Sequence, residues 1–287
     1  MNNYFELSAQ QQKAVLVQTA NTTGLSVQAV EKDLWVTVVL QLVFSLPIAN
    51  RIVFKGGTSL SKVWRVIKRF SEDIDLAIDP SIWGFGEALT KKQIKKLRKI
   101  SSIFVRDELC RSLQETFAAS GMDKWLRLEA EGDGKGDNTY PEPRVIHISY
   151  KSLFDEDLPY LRSEVKLEVG SRYELFSSQT TREAIRKSRH LYDLAQMMNS
   201  DIAVRAIAND ELWNAIHHHR ELFTSVSGVD YTPDIRKRIR LLPPSDVIDN
   251  WRKDYNEMRE SMIYGEKPTF EELMTKMKEL EDEFHNC

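Results

Sequence analysis

The chain has 287 residues, of which 41% are hydrophobic and 29% are charged, so it can form one large domain or two modest ones. Its formal net charge of −3 gives no support to a protein that coats nucleic acid non-specifically, because such proteins are usually basic. The lack of any apolar run of about 18 residues excludes a membrane-spanning helix. Two cysteines are too few for a disulfide framework, so we expect a reduced cytoplasmic protein.

Helices and strands are predicted to alternate through residues 1–180. Helices begin after Ser8, which forms a capping box with Gln11, and after Ser26. A basic helix is predicted over 91–119. Short runs of alternating apolar residues predict five strands, at 51–54, 73–78, 125–130, 144–150 and 164–169.

The pattern becomes helical from about residue 181 to the end of the chain. Four apolar residues form a helical stripe: Leu191, Leu194, Ala195 and Met198. Thr269 forms a capping box with Glu272 before the last helix. The predicted fold class is therefore α+β, a small mixed sheet followed by a helical C-terminal half, with domains at 1–180 and 181–287.

Two runs of the sequence are dense in positive charge, 91–99 and 236–240. Each is either a solvated helix face or a contact for an RNA backbone. Three consecutive histidines are also conspicuous: His217, His218 and His219. Successive helix positions point about 100° apart, so the three cannot converge on one metal ion, and we expect them at the surface.

A strand that leads into a glycine pair and then a helix is the first candidate ligand site. Gly56 and Gly57 let the backbone approach a ligand closely, and Thr58 and Ser59 can cap the following helix or contact a phosphate. A purely structural turn has the same pattern. The next apolar residues share one predicted helix face: Leu60, Val63, Trp64 and Ile67.

Asp73 and Asp75 stand at alternate positions of a predicted strand, so both carboxylates leave the same face, while Ile74 faces the core. Adjacent carboxylates repel each other unless cations lie between them, and Mg²⁺ favours carboxylate and phosphate oxygens. The pattern indicates a metal site suited to in-line displacement at a phosphate. Two solvated aspartates on an edge strand are the alternative.

The order of these motifs resembles that of the DNA polymerase β-like nucleotidyltransferases and, within them, the AbiEii-type toxin family. The matching segments are E-K-D-x-W at 31–35, G-G-T-x-L at 56–60 and R-F-S-x-D-I-D-L at 69–76. The resemblance implies a nucleotidyltransferase core in which the glycine turn holds a triphosphate and the two aspartates hold Mg²⁺ or Mn²⁺. It implies nucleotide-binding roles for Gly56, Gly57, Thr58, Ser59, Arg69 and Ser71.

Two later segments resemble the same family. The last predicted strand places Lys166 and Glu168 on one face, and the resemblance implies that Glu168 is a third metal ligand. An ordinary ion pair with Lys166 is the alternative. R-H-L-Y-D-L at 189–194 resembles the family's helix motif, which implies that Asp193 lies at the nucleotide site. An ion pair between Arg189 and Asp193 is the alternative there.

The segment before this helix departs from the family pattern. Relatives carry a longer stretch with a Glu-Lys pair whose lysine serves the active site, and no clear pair is present here. Either Lys166 or Lys187 takes the role, or the role is vacant; we favour Lys166 because a strand of a central sheet is positioned more rigidly. The predicted catalytic residues are Asp73, Asp75, Lys166 and Asp193. Lys187 and Arg189 are predicted to contact the nucleotide.

The resemblance implies a toxin of a toxin–antitoxin or phage-defence system that transfers a nucleotide from an NTP to an acceptor. We expect tRNA as the acceptor and an antitoxin as a protein partner. One alternative is transfer to a hydroxyl side chain of a protein. Another is a regulator that binds a nucleotide without turnover, which the shortened segment before Arg189 favours.

Overall fold

A computed structural model of the chain describes residues 2–86, 89–132, 134–135, 142–154, 161–170, 186–223, 237 and 239–286. The chain divides into two compact units. The first comprises Met1–Trp64 and Arg69–Tyr173, and the second comprises Arg65–Lys68 and Glu174–Cys287. Among the described helices, none has the length and apolar composition needed to cross a lipid bilayer.

The first unit combines helices with a sheet, so the predicted α+β class is confirmed. Its helices are α1 Asn2–Phe5, α2 Ala9–Thr23, α3 Val27–Phe44, α4 Gly56–Lys62, α5 Lys91–Ile103 and α6 Cys110–Ala119. A π-helical turn, Phe104–Leu109, joins α5 to α6. Its strands are β1 Ile52–Lys55, β2 Asp73–Ile78, β3 Leu126–Ala130, β4 Val145–Tyr150 and β5 Glu164–Gly170.

The five strands form one mixed sheet in the order β1-β2-β5-β4-β3. β2 and β5 run parallel, and the other neighbouring strands run antiparallel. The register of the parallel pair aligns Asp73 with Lys166 and Asp75 with Glu168. Because aligned residues of neighbouring strands face the same side, these four side chains share one face of the sheet.

The opposite face of the sheet carries the hydrophobic core. Ile74, Leu76 and Leu167 are fully buried there, because alternate residues of a strand point to opposite faces. Helices α3 and α6 supply further members of this core, among them Val39 and Leu113. The core therefore covers the apolar side of the sheet and leaves the two aspartates on the other side.

Side-chain caps define the starts of the first two long helices, as predicted. Ser8 and Gln11 form a complete capping box at the start of α2. Ser26 accepts a hydrogen bond from the backbone N–H of Ala29 at the start of α3. These caps satisfy N–H groups that have no partner within the helix, which explains why both helices begin where the sequence predicts.

The helix after the glycine pair is shorter than the sequence predicts. α4 ends at Lys62, and Val63 and Trp64 are each 60% exposed. Arg65 then adopts a φ of 55°, in the left-handed region that a right-handed helix cannot contain. The predicted apolar helix face is therefore wrong, since Val63 and Trp64 lie beyond the helix and Ile67 is buried outside it.

The described part of the second unit is helical, as predicted. Its helices are α7 Ser188–Met197, α8 Asp201–Ile207, α9 Asp210–Phe223, α10 Ile248–Met262 and α11 Phe270–Asn286. α7 contacts both α10 and α11, and Leu191 and Ala195 of the predicted stripe are buried. Thr269 and Glu272 form the predicted capping box before α11.

The three consecutive histidines do not all lie at the surface. His217 is 7% exposed, whereas His218 is exposed. His217 follows Trp213 by one helical turn, and Trp213 contacts Phe284 of α11 edge-on, so this side of α9 faces the interior of the second unit. The surface prediction is therefore wrong for His217.

Only one of the two basic runs lies wholly within the described residues. The run at 91–99 forms most of α5. In the other run, residues 236 and 238 lie outside the described residues, and Arg240 pairs with Glu281 at 3.1 Å. Arg240 therefore contributes to the internal structure of the second unit.

Candidate active site

Gly56 lies directly against Asp75. Its φ is 70°, in the left-handed region, and a Cβ at this position would overlap Asp75 Oδ2 and lie 2.7 Å from Asp75 Cγ. Lys55, the preceding residue, is aligned with Asp75 across β1 and β2. Only glycine suits both the backbone conformation and the close approach. The turn thus brings the chain against a carboxylate that the sequence assigns to a metal ion.

Gly57 lies against Arg69 and Ser71. A Cβ on Gly57 would be 2.6 Å from Arg69 Nη2 and 2.9 Å from Ser71 Oγ. Arg69 is buried and donates from Nη1 to the carbonyl oxygen of Phe70 at 3.0 Å. Three of the predicted nucleotide-binding residues therefore meet at this turn.

Thr58 and Ser59 are buried within α4 and do not cap it. The N-cap position is Lys55, whose side chain makes no capping hydrogen bond. Thr58 Oγ1 instead donates to the backbone carbonyl of Asp73 and so ties the helix to the start of β2. The predicted capping role is therefore wrong for both residues.

Asp73, Asp75, Lys166 and Glu168 form a cluster on the polar face of the sheet, which we call the central cluster. Lys166 Nζ lies 2.5 Å from Glu168 Oε1. Burial alone would lower the pKa of Lys166, but the hydrogen bond to Glu168 and the negative charges of Glu168, Asp73 and Glu131 outweigh burial and raise that pKa. Lys166 is therefore held as a cation next to Asp73.

The carboxylates of the central cluster suit a metal ion that binds together with a phosphate. Among the described residues, no group of three His, Cys, Asp or Glu side chains forms a metal cage. Mg²⁺ commonly takes one or two protein carboxylates and completes its shell with phosphate oxygens and water. Asp73 and Asp75 fit that arrangement. Glu168 is held by Lys166, so its role as a third ligand stays a prediction.

His147, for which the sequence predicts no role, extends the polar face beyond the central cluster. It lies on β4 in alignment with Lys166. Its Nδ1 is 3.0 Å from Glu164 Oε1, and its Nε2 is 3.8 Å from Glu131 Oε1. The buried apolar residues on either side of His147 are the signal that already placed it on the polar face.

Helix α3 positions both segments that flank the site. Lys32 Nζ lies 2.9 Å from Glu72 Oε2, and both side chains are buried. Asp33 Oδ1 lies 2.8 Å from the ammonium group of Lys62 at the end of α4. One helix is therefore tied to the residue before Asp73 and to the last residue of α4.

Glu31, the first residue of the E-K-D motif, is tied to another part of the first unit. Its carboxylate accepts hydrogen bonds from Ser152 Oγ at 2.5 Å and from the backbone N–H of Leu153 at 2.7 Å. Burial raises the pKa of Glu31, although these hydrogen bonds and the charge of Lys13 oppose the shift. The motif therefore acts in positioning: each of its three charged residues anchors a different segment.

The remaining predicted site residues belong to the second unit. Lys187 precedes α7, Arg189 stands in its first turn, and Asp193 is buried further along it. Asp254 of α10 holds the start of this helix, because its Oδ2 accepts from Ser188 Oγ at 2.5 Å and from Ser188 N at 3.1 Å. A role for Lys187, Arg189 and Asp193 at a nucleotide site stays a prediction.

Comparison with known proteins places the chain in one family. A sequence model described as "Nucleotidyl transferase AbiEii toxin, Type IV TA system" matches residues 42–185 and 175–276, which together make up most of the chain. No curated protein and no solved structure matches the chain at a significant level. The matched ranges include Gly56, Gly57, Asp73 and Asp75. The chain belongs to the AbiEii family of nucleotidyl transferase toxins, which are components of type IV toxin–antitoxin systems.

Proposed function

We propose that the chain is an active, metal-dependent enzyme that transfers a nucleotide from an NTP to tRNA on a polymerase β-like core. The observation that carries the proposal is the close approach of Gly56 to Asp75, on a sheet face that also holds Asp73 and Lys166. A triphosphate seated on the glycine turn would meet two carboxylates and a lysine at once.

Asp73 and Asp75 would hold the metal ion, Mg²⁺ or Mn²⁺. Such an ion would stabilise the negative charge that develops on the α-phosphate and on the departing diphosphate. The two aspartates suit this task because they leave the same strand face, and the absence of a side chain on Gly56 lets the glycine turn lie directly against the carboxylate of Asp75.

Lys166 supplies the fixed cation that nucleotidyl transfer requires. Negative charge gathers on the phosphate oxygens during the reaction, and a positioned cation lowers the barrier there. The pKa of Lys166 is raised, so the side chain stays charged at neutral pH. In the free protein Lys166 pairs with Glu168, and a bound triphosphate would compete for that ammonium group.

The acceptor is proposed to be tRNA in the cytoplasm. The biological outcome is proposed to be arrest of growth. A cognate antitoxin is proposed to counteract the toxin, and the pair is proposed to act in phage defence. Family membership supports a toxin that works with an antitoxin partner. Transfer to a hydroxyl side chain of a protein is the second candidate within the same chemistry. A regulator that binds a nucleotide without turnover is the third.

A transfer assay separates these candidates. Purified protein is incubated with each α-labelled NTP, Mg²⁺ and either total bacterial RNA or a bacterial protein extract, and Asp75→Asn serves as the inactive control. Glu129→Gln, at an exposed residue of β3 on the opposite edge of the sheet, serves as the matched carboxylate control.

Label on RNA in the wild type and in Glu129→Gln, but not in Asp75→Asn, is the expected result. Label on protein would favour the second candidate. NTP binding in calorimetry without any transferred label would favour the regulator. Equal transfer by Asp75→Asn would overturn the assignment of the site.

A further inference from the structure

Helix α5 concentrates positive charge in a chain that is acidic overall. Its sequence, KKQIKKLRKISSI, contains five lysines, one arginine and no acidic residue. In the whole chain Asp+Glu outnumber Lys+Arg by 43 to 40. The composition of the chain therefore does not account for this concentration, and the segment needs an explanation of its own.

The lysines of α5 share one exposed face, which we call the α5 lysine face. Its members are Lys91, Lys92, Lys95, Lys96 and Lys99, all of them exposed. At 3.6 residues per turn they occupy an arc of roughly 140°. Ile94 and Leu97, on the other side of the helix, are buried. The face is therefore a continuous basic strip on a helix that its apolar side holds in place.

No described carboxylate neutralises the positive charge of this strip. In the part of the chain that the structure describes, none of the five lysines lies within ion-pair range of a carboxylate. Lysines elsewhere do have such partners: Lys32 with Glu72, Lys62 with Asp33, Lys166 with Glu168 and Lys278 with Asp282. As far as the described residues go, the α5 lysine face is thus open to an external anion.

These lysines also weaken the helix that carries them. Lys91 and Lys92 stand in its first turn, where the partial positive charge of the helix terminus disfavours cations. Lys91 and Lys95 are like charges one turn apart, as are Lys92 and Lys96, and such pairs destabilise a helix. Stability therefore does not explain the lysines, whereas binding of a polyanion does.

The strip begins near the strand that borders the central cluster. Ser102 Oγ donates to the carbonyl of Pro143 at 2.6 Å, and β4 starts two residues later with Val145, which is aligned with Glu168. At 1.5 Å per residue, the lysines extend along the helix from about 5 Å to about 17 Å away from Ser102. That reach suits a long polymer rather than a mononucleotide.

We propose that the α5 lysine face binds the phosphodiester backbone of the RNA acceptor, an inference that rests on the proposed transfer to RNA. An anionic membrane fits less well, because a helix that lies on a membrane exposes an apolar side, and Ile94 and Leu97 are buried. Contacts to phosphates position a nucleic acid without reading its sequence. The strip would therefore hold the body of the RNA while its reacting end lies at the glycine turn.

The test measures binding of fluorescently labelled bacterial tRNA over a series of salt concentrations, in an Asp73→Asn background that prevents transfer. The test variant carries three substitutions, Lys92→Gln, Lys95→Gln and Lys96→Gln. The control carries an equal loss of charge at three exposed lysines outside α5, with the substitutions Lys124→Gln, Lys135→Gln and Lys253→Gln. NTP affinity is measured in parallel by calorimetry, without RNA, on the same lysine variants with Asp73 intact.

We expect the test variant to bind tRNA several-fold more weakly, with the slope of log K against log salt smaller by about 2 to 3, because each lost phosphate contact removes roughly 0.7–0.9 from it. NTP affinity should not change. Unchanged tRNA binding, or an equal loss in the control variant, would overturn the inference. The inference would also be overturned if the test variant lost binding to phosphatidylglycerol vesicles but kept its binding to tRNA.

The assays distinguish failure of the α5 inference from failure of the proposed function, because the binding assay does not depend on turnover. If the wild type labels RNA but the test variant binds tRNA normally, the α5 inference is wrong and the proposed function stands. If the test variant loses tRNA binding but the wild type labels no RNA, the proposed function is wrong and the strip is still an RNA-binding surface.

Discussion

Lys32 and Glu72 form a buried ion pair, with 2.9 Å between Nζ and Oε2 and only 4% of either side chain exposed. They are 40 residues apart in the sequence. Glu72 immediately precedes Asp73, so the pair connects the N-terminal third of α3 with the first carboxylate of the central cluster. A charged pair this far from water needs both partners, because the charge left by removing one of them is not compensated.

We therefore predict that Lys32→Ala lowers the free energy of unfolding by about 3–5 kcal/mol, the range measured when one partner of a buried pair is removed. Lys278→Ala, which breaks the half-exposed pair with Asp282, should cost less than about 1 kcal/mol. Urea unfolding measures both. Similar small losses for the two variants would show that the Lys32–Glu72 pair does not stabilise the fold.

A double variant identifies the cause of that loss. Lys32→Met combined with Glu72→Met removes both charges and keeps side-chain volume, so it should recover most of the stability lost in Lys32→Ala. Nucleotide transfer should be impaired in Lys32→Ala and in the double variant alike, because neither keeps the ion pair that links α3 to the residue before Asp73. Full activity would mean that the pair does not position the aspartate.

Gly56 and Gly84 offer a matched pair of alanine substitutions. Their φ values are 70° and 74°, so alanine should cost roughly 1–2 kcal/mol of backbone strain at either position. A Cβ on Gly84 meets nothing within 4 Å, whereas one on Gly56 overlaps the carboxylate of Asp75. Gly84→Ala should keep transfer activity, and Gly56→Ala should lose it together with additional stability. Thermal unfolding measures the stability of both variants, and the label-transfer assay measures their activity. Equal activity in the two variants would contradict the close approach of Gly56 to Asp75.

The sequence predicts an element of the fold well where only one face of that element is buried. In β2, the alternation of Asp73, Ile74, Asp75 and Leu76 shows both the strand and its faces, because only one side of the sheet is apolar. The end of α4 was not predictable in the same way. Its termination depends on the left-handed backbone of Arg65, which neither the residue type nor the apolar spacing reveals.

The candidate site was predictable only where its parts are close in sequence. The turn at Gly56 and the aspartates of β2 are separated by one helix, so a local motif includes both. The alignment of Asp75 with Glu168 depends on parallel pairing across nearly a hundred residues, which alternation alone does not specify. The Lys32–Glu72 pair was missed because lysine and glutamate are rarely buried, so a sequence gives no reason to expect both inside.

The raised pKa of Glu31 makes a contribution to stability that depends on pH. Burial raises this pKa above its ordinary value of 4.5, so between pH 4.5 and the higher folded-state pKa the folded protein binds more protons at this group than the unfolded chain. The contribution of Glu31 is fully present below pH 4.5 and decreases as the pH rises through the folded-state pKa.

We predict that Glu31→Gln removes this dependence. The unfolding free energy of the variant minus that of the wild type should increase as the pH rises from about 4 towards 7. Urea unfolding at several pH values measures the difference, and taking a difference cancels the titration of carboxylates elsewhere. A difference that is flat or decreases with pH would contradict a raised pKa for Glu31.

Paired alanine substitutions can show whether Lys166 or Lys187 contacts the phosphates. Lys166 stands on β5 beside Asp73 and is held as a cation by its neighbours, whereas Lys187 precedes α7 in the second unit. Loss of a fixed electrostatic donor from a transition state typically costs about 10²–10³ in kcat. We therefore expect Lys166→Ala to lower kcat for transfer by that factor and Lys187→Ala to lower it only slightly.

Controls are needed because Lys166→Ala also leaves Glu168 without its ion-pair partner. Urea unfolding shows whether the variant is folded, and Lys166→Ala combined with Glu168→Ala shows whether an unpaired Glu168 causes the loss. If Lys166 itself contacts the phosphates, kcat in the double variant stays well below that of Glu168→Ala alone; recovery of kcat in the double variant would assign the loss to repulsion by Glu168. A large loss in Lys187→Ala with a mild Lys166→Ala would transfer the phosphate contact to Lys187. Two mild variants would mean that neither lysine contacts the phosphates in the transition state.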